Sequence, residues 1–361
     1  MRKRIIFVFI FSFILLNLFS YSIHQVSISF IDPDRNNRQI PTQVFIPVDI
    51  ESNRQSEQEF PFIVFGHGFL QSYTVYQSVW QAIVPLGWIM AFPTTEGGFS
   101  PSHQNFALDI AFLSFAILEA SEDPASPLYN KVKPISVAMG HSMGGGASVL
   151  AASGTHDFSA LATFAAADTN PSAINAALNV NVPSLTFSGT ADWVTPPSSH
   201  QIPIYNNLAS IYKSFISLNG VGHAGIYSNN IALTLLAEWL YFIESKEIAY
   251  LVSFEDLLDG FFNNGNITYA IENYYPPENI AISIENEVLT ISWDKALGAD
   301  HYIVEATDDI NGVFNNISSD QGNFTEIDEI VFWSFPIDYS ESRLFFRVKT
   351  MRSTLNNTNI Q

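Results

Sequence analysis

The residues best suited to chemistry lie in the stretch 140–146, which reads Gly-His-Ser-Met-Gly-Gly-Gly. A serine between spaced glycines is typical of a nucleophile, because the glycines allow a turn so tight that the serine side chain stands exposed and the next backbone N–H points to where an oxyanion would form. The bare pattern also arises by chance. Here a buried-strand pattern, residues 135–139, precedes it and a helical pattern of small residues follows. The sequence therefore predicts Ser142 as a nucleophile and the N–H of Met143 as an oxyanion donor.

A serine nucleophile needs a base, and the order of residues along the chain narrows the choice of histidine. In folds that use this turn, an acid and then a histidine follow the serine, each at the carboxyl end of a later strand. Only three of the eight histidines come late enough: His200, His223 and His301. His301 falls in a β-rich region far along the chain, and His200 opens a helix directly after an acid-bearing loop. We predict His223, in a glycine-rich loop after a strand pattern, as the general base.

The acid that orients the imidazole must lie between the serine and that histidine, where the chain has three carboxylates. Asp192 follows the strand pattern 184–188, the strand before the one that carries His223, and is the preferred acid. Asp168 follows the preceding strand pattern and remains an alternative, because some hydrolases carry the acid on an earlier strand. Asp157 is expected at a turn or helix end.

A second oxyanion donor is expected from the loop after an early strand. The strand pattern 62–65 leads into Gly-His-Gly-Phe, where glycines permit a close approach of the backbone. The N–H of Phe69 is the predicted donor. His67 precedes the serine, and we interpret it as a residue that braces this loop.

The elements that must position these groups alternate between short apolar strands and helical patterns, which is typical of a mostly parallel sheet covered on both faces. We predict an α/β-hydrolase fold with a small C-terminal all-β sandwich. The expected domains are a signal peptide (1–22), a catalytic domain (23–249), a connector (250–275) and a β module (276–361). Strands are predicted at 44–46, 62–65, 88–92, 135–139, 161–165, 184–188 and 215–218, and helices at 105–119, 144–152, 199–208 and 229–243.

Composition excludes several classes of protein. The 361-residue chain has 35 acidic against 15 basic residues and a net charge of −20, so it would repel phosphate backbones, and no nucleic-acid partner is expected. The absence of cysteine excludes disulfides, cysteine nucleophiles and thiolate metal sites. Residues 2–4 are basic and residues 5–16 form a short apolar run, which indicates a cleaved signal peptide and a secreted or periplasmic protein without a membrane span in the mature chain.

Residues 24–245 resemble an α/β-hydrolase of the dienelactone hydrolase-like group, and within it bacterial cutinases and poly(ethylene terephthalate) hydrolases. The resemblance rests on residues 140–146, 182–196, 199–208 and the Gly222-His223 pair. It implies Ser142, Asp192 and His223 as the catalytic triad and Phe69 and Met143 as oxyanion donors. It also implies that Val194 lines the substrate wall, with Phe69 and Trp193 as further substrate contacts.

The chain departs from those enzymes at three points. Their tryptophan clamp corresponds to Ala167, their stacking tyrosine corresponds to Phe69, and the paired cysteines that many of them have are missing. These departures are compatible with ester hydrolysis and favour aliphatic over terephthalate polyesters. Residues 276–361 resemble a bacterial fibronectin type III-like domain.

The function expected from the sequence is an exported serine hydrolase that cleaves carboxylic esters, including polyesters, and needs no cofactor or metal. A serine peptidase, an amidase or a lipase with the same triad is an alternative, and so is a non-catalytic adhesive protein with an inactive hydrolase domain. The β module is expected to contact a surface or the secretion machinery.

Overall fold

The computed structural model describes residues 21–49, 58–154, 158–210, 212–275, 279–285, 287–294, 301–307, 315–317, 323–327, 330–336 and 345–351. The predicted signal peptide, except for Tyr21 and Ser22, lies outside the described residues, and so does Asp157. The described residues divide into two compact units between Ala270 and Ile271. The first unit contains every residue predicted to take part in catalysis.

The first unit is built on a sheet in the order β1-β2-β4-β3-β5-β6-β7-β8, with β9 next to β8. β1, β2 and β4 pair antiparallel, and every pairing from β4 through β8 is parallel. The predicted mostly parallel sheet is therefore confirmed. The strands are β1 (Ser22–Asp32), β2 (Arg38–Val48), β3 (Phe60–Gly66), β4 (Ile89–Pro93), β5 (Val132–His141), β6 (Ala160–Phe164), β7 (Ser184–Gly189), β8 (Tyr212–Leu218) and β9 (Ile267–Tyr275).

Helices connect the strands, and the central strands β3, β4, β6 and β7 are buried along their whole length, as expected for a sheet covered on both faces. Polar side chains start the longer helices: Ser102 accepts a hydrogen bond from the N–H of Asn105 at the start of α2, and Asn229 caps α6 in the same way. The helices are α1 (Gln77–Ile83), α2 (His103–Glu122), α3 (Met143–Ala152), α4 (Ala173–Ala176), α5 (Gln201–Asn207), α6 (Asn230–Ser245) and α7 (Ile248–Asn263), with 3-10 turns at Tyr73–Tyr76, Val84–Leu86, Ala177–Asn179 and His223–Ser228.

Several elements were not expected from the sequence, among them β1, α7 and β9. β1 lies at the edge of the sheet, where most of its side chains are exposed or half-buried, so it lacks the apolar run of the central strands. Residues 250–275, expected to be a connector, form most of α7 and all of β9. The helix forms because Leu251, Phe254 and Leu258 recur at helical spacing and are all buried.

The second unit consists of antiparallel strands and fits a small β module. One sheet has the order β10-β11-β15-β14, and β16 pairs antiparallel with β12 and with Tyr274 and Tyr275, the last residues of β9, which belong to this unit. Its core contains Trp293 and Trp333, both fully buried, with Leu289, Ile291, Val304, Val331 and Val348. The strands are β10 (Ala281–Glu285), β11 (Val288–Asp294), β12 (His301–Thr307), β13 (Asn315–Asn316), β14 (Asn323–Ile327), β15 (Ile330–Pro336) and β16 (Phe345–Met351). The fibronectin type III-like assignment stays a prediction.

Candidate active site

The turn between β5 and α3 holds Ser142 in an unusual backbone conformation. Its φ of 55° and ψ of −120° are strained for a residue with a side chain. The neighbouring glycines are needed for close approach: a Cβ on Gly144 would lie 2.1 Å from the carbonyl oxygen of Gly66, and one on Gly140 would lie 2.4 Å from that of Gly144. The Gly-x-Ser-x-Gly pattern is therefore required by the packing of β3, β5 and α3 at the carboxyl edge of the sheet.

Asp192 and His223 meet at the same edge. Asp192 lies in the loop after β7 and His223 in the loop after β8, and the distance between Asp192 Oδ2 and His223 Nδ1 is 2.8 Å. The Asp192 side chain is completely buried, and its Oδ1 accepts hydrogen bonds from the N–H groups of Val194 and Thr195, each at 2.9 Å. Burial alone would raise the pKa of the Asp192 carboxyl, but hydrogen bonds from His223 and Thr195 outweigh it and hold that pKa below its usual value. The carboxylate is thus ionised beside the imidazole at neutral pH.

The alternative acid, Asp168, has different partners. Its Oδ1 accepts hydrogen bonds from the N–H groups of Thr169 and Ile174 and from the Ser172 hydroxyl, at 2.9–3.2 Å. These contacts place the carboxylate at the start of α4, where it stabilises the helix. The backbone N–H of Asp168 donates to Nδ1 of His200 at 3.0 Å. His200 is thus hydrogen-bonded to the backbone of Asp168. The carboxylate that contacts His223 is that of Asp192.

The two predicted oxyanion donors lie at the carboxyl ends of β3 and β5. Met143 is the first residue of α3, and the N–H groups of a helix's first turn have no partner within the helix. Phe69 follows Gly68 in a turn closed by a hydrogen bond from Gln71 N–H to Gly68 O at 3.0 Å. Both ring nitrogens of the buried His67 contact carbonyl oxygens, those of Gly68 and Thr95, at 2.9 Å, so the imidazole ties this loop to the one after β4.

Several large apolar side chains in the loops that carry the predicted catalytic groups are exposed. Trp193 is 84% exposed, Val194 49% and Phe69 47%. Ala167, at the position of the predicted clamp, offers no ring.

Three residues with contacts to these groups were missed by sequence reasoning. The buried Thr195 donates to Asp192 Oδ2 at 2.9 Å, and its Oγ1 lies 3.1 Å from His223 Nδ1. A threonine three residues after an aspartate is a common turn pattern and could have drawn attention to it. Tyr76 and His141 contact the backbone of the predicted oxyanion and histidine loops, and no local pattern indicates a partner so distant in sequence.

The rest of the described structure adds two observations. No cluster of three or more histidine, aspartate or glutamate side chains with the spacing of a metal site occurs among the described residues. None of the helices in the described ranges is both long enough and apolar enough to span a bilayer.

Comparison with known proteins finds similarity to ester hydrolases. A stretch of 104 residues aligns at 34% identity with the cutinase Est1 of Thermobifida alba, and it covers 28% of this chain and 33% of that cutinase. The chain thus matches about a third of that relative's length. A family model described as PET hydrolase-like matches residues 64–254, which is more than half of the chain and includes every residue of the candidate site. This chain belongs to the PET hydrolase-like family.

Proposed function

We propose that this protein is an exported serine hydrolase that cleaves carboxylic esters through the triad Ser142, His223 and Asp192. The observation that carries the proposal is the 2.8 Å contact between His223 and the buried, ionised Asp192, at the sheet edge where Ser142 holds its strained turn. Family membership and the local likeness to a cutinase support ester hydrolysis over other reactions.

In the proposed reaction, Nε2 of His223 takes the proton from Ser142 Oγ as that oxygen attacks the ester carbonyl carbon. The carbonyl oxygen becomes an oxyanion, which the N–H groups of Phe69 and Met143 stabilise. The intermediate then collapses, the carbon–oxygen bond to the alcohol breaks, and His223 returns its proton to the departing alkoxide. A water molecule, deprotonated by His223, then attacks the acyl carbon, the bond to Ser142 Oγ breaks, and His223 returns the proton to Oγ as the acid is released. Asp192 stabilises the imidazolium throughout, and no cofactor takes part.

The substrate class follows from the surface around the serine. Phe69, Trp193 and Val194 present apolar area, and at the predicted clamp position Ala167 has no ring to stack on an aromatic acyl group. An aromatic contact is worth about 0.5–1.5 kcal/mol beyond the burial of its area. We therefore expect short- and medium-chain aliphatic esters and aliphatic polyesters to be good substrates, and terephthalate polyester to be a slow one.

The test is a panel of p-nitrophenyl esters of increasing acyl length beside p-nitroanilides, with wild-type protein and Ser142→Ala. We expect the wild type to hydrolyse the esters and Ser142→Ala to lose at least about 10⁴-fold in kcat with an unchanged circular dichroism spectrum. Preference for the anilides would favour the peptidase or amidase alternative, preference for long-chain emulsified esters a lipase, and no turnover of any substrate the non-catalytic alternative.

Export and the role of the β module belong to the same proposal. The basic and apolar segment at residues 2–16 supports a signal peptide, and N-terminal sequencing of the mature protein tests it. We infer that the β module serves contact with a surface or with the secretion machinery. A chain ending at Tyr275 is then expected to hydrolyse soluble esters at the full-length rate, and an equal loss on soluble and insoluble esters would contradict this.

A further inference from the structure

A chain of buried hydrogen bonds runs behind the candidate triad. The N–H of Gly68 donates to the hydroxyl of Tyr76 at 2.7 Å, that hydroxyl lies 3.0 Å from Nδ1 of His141, and Nε2 of His141 lies 3.2 Å from the carbonyl oxygen of His223. Tyr76 and His141 are both fully buried. The chain therefore links the backbone beside the oxyanion donor Phe69 to the backbone of the general base, two segments more than 150 residues apart in sequence.

The positions of the protons in this chain follow from the groups that meet. The carbonyl oxygen of His223 can only accept, so Nε2 of His141 must carry a hydrogen. Burial, reinforced by the nearby His223, lowers the pKa of His141 to about 3, so its ring is neutral and Nδ1 has no hydrogen. Nδ1 can then only accept, and the Tyr76 hydroxyl is the donor that faces it. The same hydroxyl also donates to Oε1 of Gln71, so its one hydrogen is shared between the two acceptors.

The packing around the chain leaves little freedom for its members. The ring of His141 lies 4.7 Å from that of His223, and Tyr227 packs edge-on against both His141 and Tyr76, with centroids 4.8 Å apart in each case. A Cβ on Gly68 would lie 2.5 Å from the Gln71 amide, so the loop backbone approaches the chain closely. The side chains of Tyr76 and His141 are thus held in place by close packing.

We propose that Tyr76 and His141 are positioning residues that set the separation between the oxyanion donor of Phe69 and the imidazole of His223. The proposal rests on the proposed function, since it assigns a role to the second layer of the same site. Oxyanion donors and a general base act efficiently only when both are held within about 0.5 Å of their productive positions. The Tyr76–His141 pair connects them through direct hydrogen bonds.

The first experiment compares Tyr76→Phe with Tyr227→Phe. Each variant loses one hydroxyl from a ring packed on His141, but the Tyr227 hydroxyl takes no part in the chain described above. Active sites are titrated to completion with a p-nitrophenyl phosphonate, so that misfolded protein does not count, and kcat and KM are measured per titrated site on a soluble p-nitrophenyl ester. We expect Tyr76→Phe to lose about 10- to 100-fold in kcat with KM unchanged, and Tyr227→Phe to match the wild type.

A second pair of variants guards against failure of Tyr76→Phe to fold. His141→Gln retains a side-chain N–H that can reach the His223 carbonyl, whereas His141→Leu has a similar volume and no donor. We expect the glutamine variant to retain most of the kcat per titrated site and the leucine variant to lose at least about tenfold.

Two results would overturn the inference: Tyr76→Phe with the same kcat per titrated site as Tyr227→Phe, or His141→Leu with the same kcat as His141→Gln. In either case the contacts would serve stability alone. Failure of the proposed function is distinguishable, because the wild type would then hydrolyse no ester, or Ser142→Ala would hydrolyse esters as fast as the wild type.

Discussion

The loops after β6 and β7 occupy similar positions in the fold, but the aspartates that they carry have different hydrogen-bond partners. Each follows a buried parallel strand, each reaches the same edge of the sheet, and each carries one aspartate within four residues of the strand end. Asp168, after β6, accepts hydrogen bonds from its own loop and from the start of α4. Asp192, after β7, turns one oxygen to its own loop and the other to His223.

The difference comes from the distance to the next helix. α4 begins five residues after Asp168, so its unpaired N–H groups lie within reach of that carboxylate and attract it. α5 begins nine residues after Asp192, and the loop between them folds back so that only the N–H groups of Val194 and Thr195 face one carboxylate oxygen. The second oxygen accepts hydrogen bonds from the Thr195 hydroxyl and from His223. Two aspartates in equivalent topological positions are thus separated into a helix cap and a candidate catalytic acid by local loop length.

The strongest test of this comparison is the pair Asp192→Asn and Asp168→Asn. Asparagine at 192 removes the charge that stabilises the imidazolium, and we expect kcat for ester hydrolysis to fall by about 10⁴-fold. Asparagine at 168 can still cap α4, so kcat is expected to stay near the wild-type value and the free energy of unfolding to change by less than about 1 kcal/mol. The measurements are steady-state kinetics and urea unfolding. The reverse ranking of kcat would assign the acid's role to Asp168.

A second pair removes one hydroxyl from each loop. Thr195→Val deletes the donor to Asp192 Oδ2, and we expect kcat/KM to fall about tenfold, because a hydrogen bond to a charged group is worth roughly 1.5–3 kcal/mol and part of it acts on the imidazolium. Thr169→Val deletes a hydroxyl that donates to the Pro171 carbonyl and serves as the control. Equal kcat/KM values for the two variants would show that the hydroxyl of Thr195 does not support Asp192.

Substrate preference sharpens the comparison further, because each loop presents a residue toward the proposed substrate surface. We expect Ala167→Trp, in the β6 loop, to raise the ratio of terephthalate to aliphatic polyester hydrolysis by up to about tenfold, since an added aromatic contact is worth about 0.5–1.5 kcal/mol. Trp193→Ala, in the β7 loop, is expected to lower that ratio. Release of soluble products from films of the two polymers measures both. A wild type already faster on terephthalate film, with no response to either change, would contradict this view of the surface.

The smallest expected effect concerns acid stability. Because hydrogen bonds hold the pKa of folded Asp192 below its unfolded value near 3.9, its contribution to stability is present above that value and is lost as pH falls through the lower folded pKa. The difference in unfolding free energy between the wild type and Asp192→Asn, on the order of 1 kcal/mol, should therefore shrink as the pH falls below about 4. Denaturant unfolding at a series of pH values gives the difference, and a constant value down to pH 2 would argue against an ionised, stabilising Asp192.

Much of the fold was accessible from the sequence, because the central strands are short apolar runs that stay buried whatever the details of packing. The runs at 62–65 and 184–188 lie within β3 and β7. β1 was not predicted because a strand at the edge of a sheet needs no run of apolar residues. α7 was not predicted although Leu251, Phe254 and Leu258 follow helical spacing, because the burial of these side chains depends on the neighbours they pack against.

The sequence by itself predicted the order of the proposed nucleophile, acid and base and the glycines around Ser142, since these depend on local backbone geometry and on the direction of parallel strands. It left the choice between Asp168 and Asp192 open. Only the tertiary structure placed Asp192 beside His223, placed Thr195 beside that carboxylate and joined Gly68, Tyr76, His141 and His223 by hydrogen bonds. Those contacts join residues up to 82 positions apart, and whether such groups meet depends on loop lengths and helix packing, which no local pattern of residues encodes.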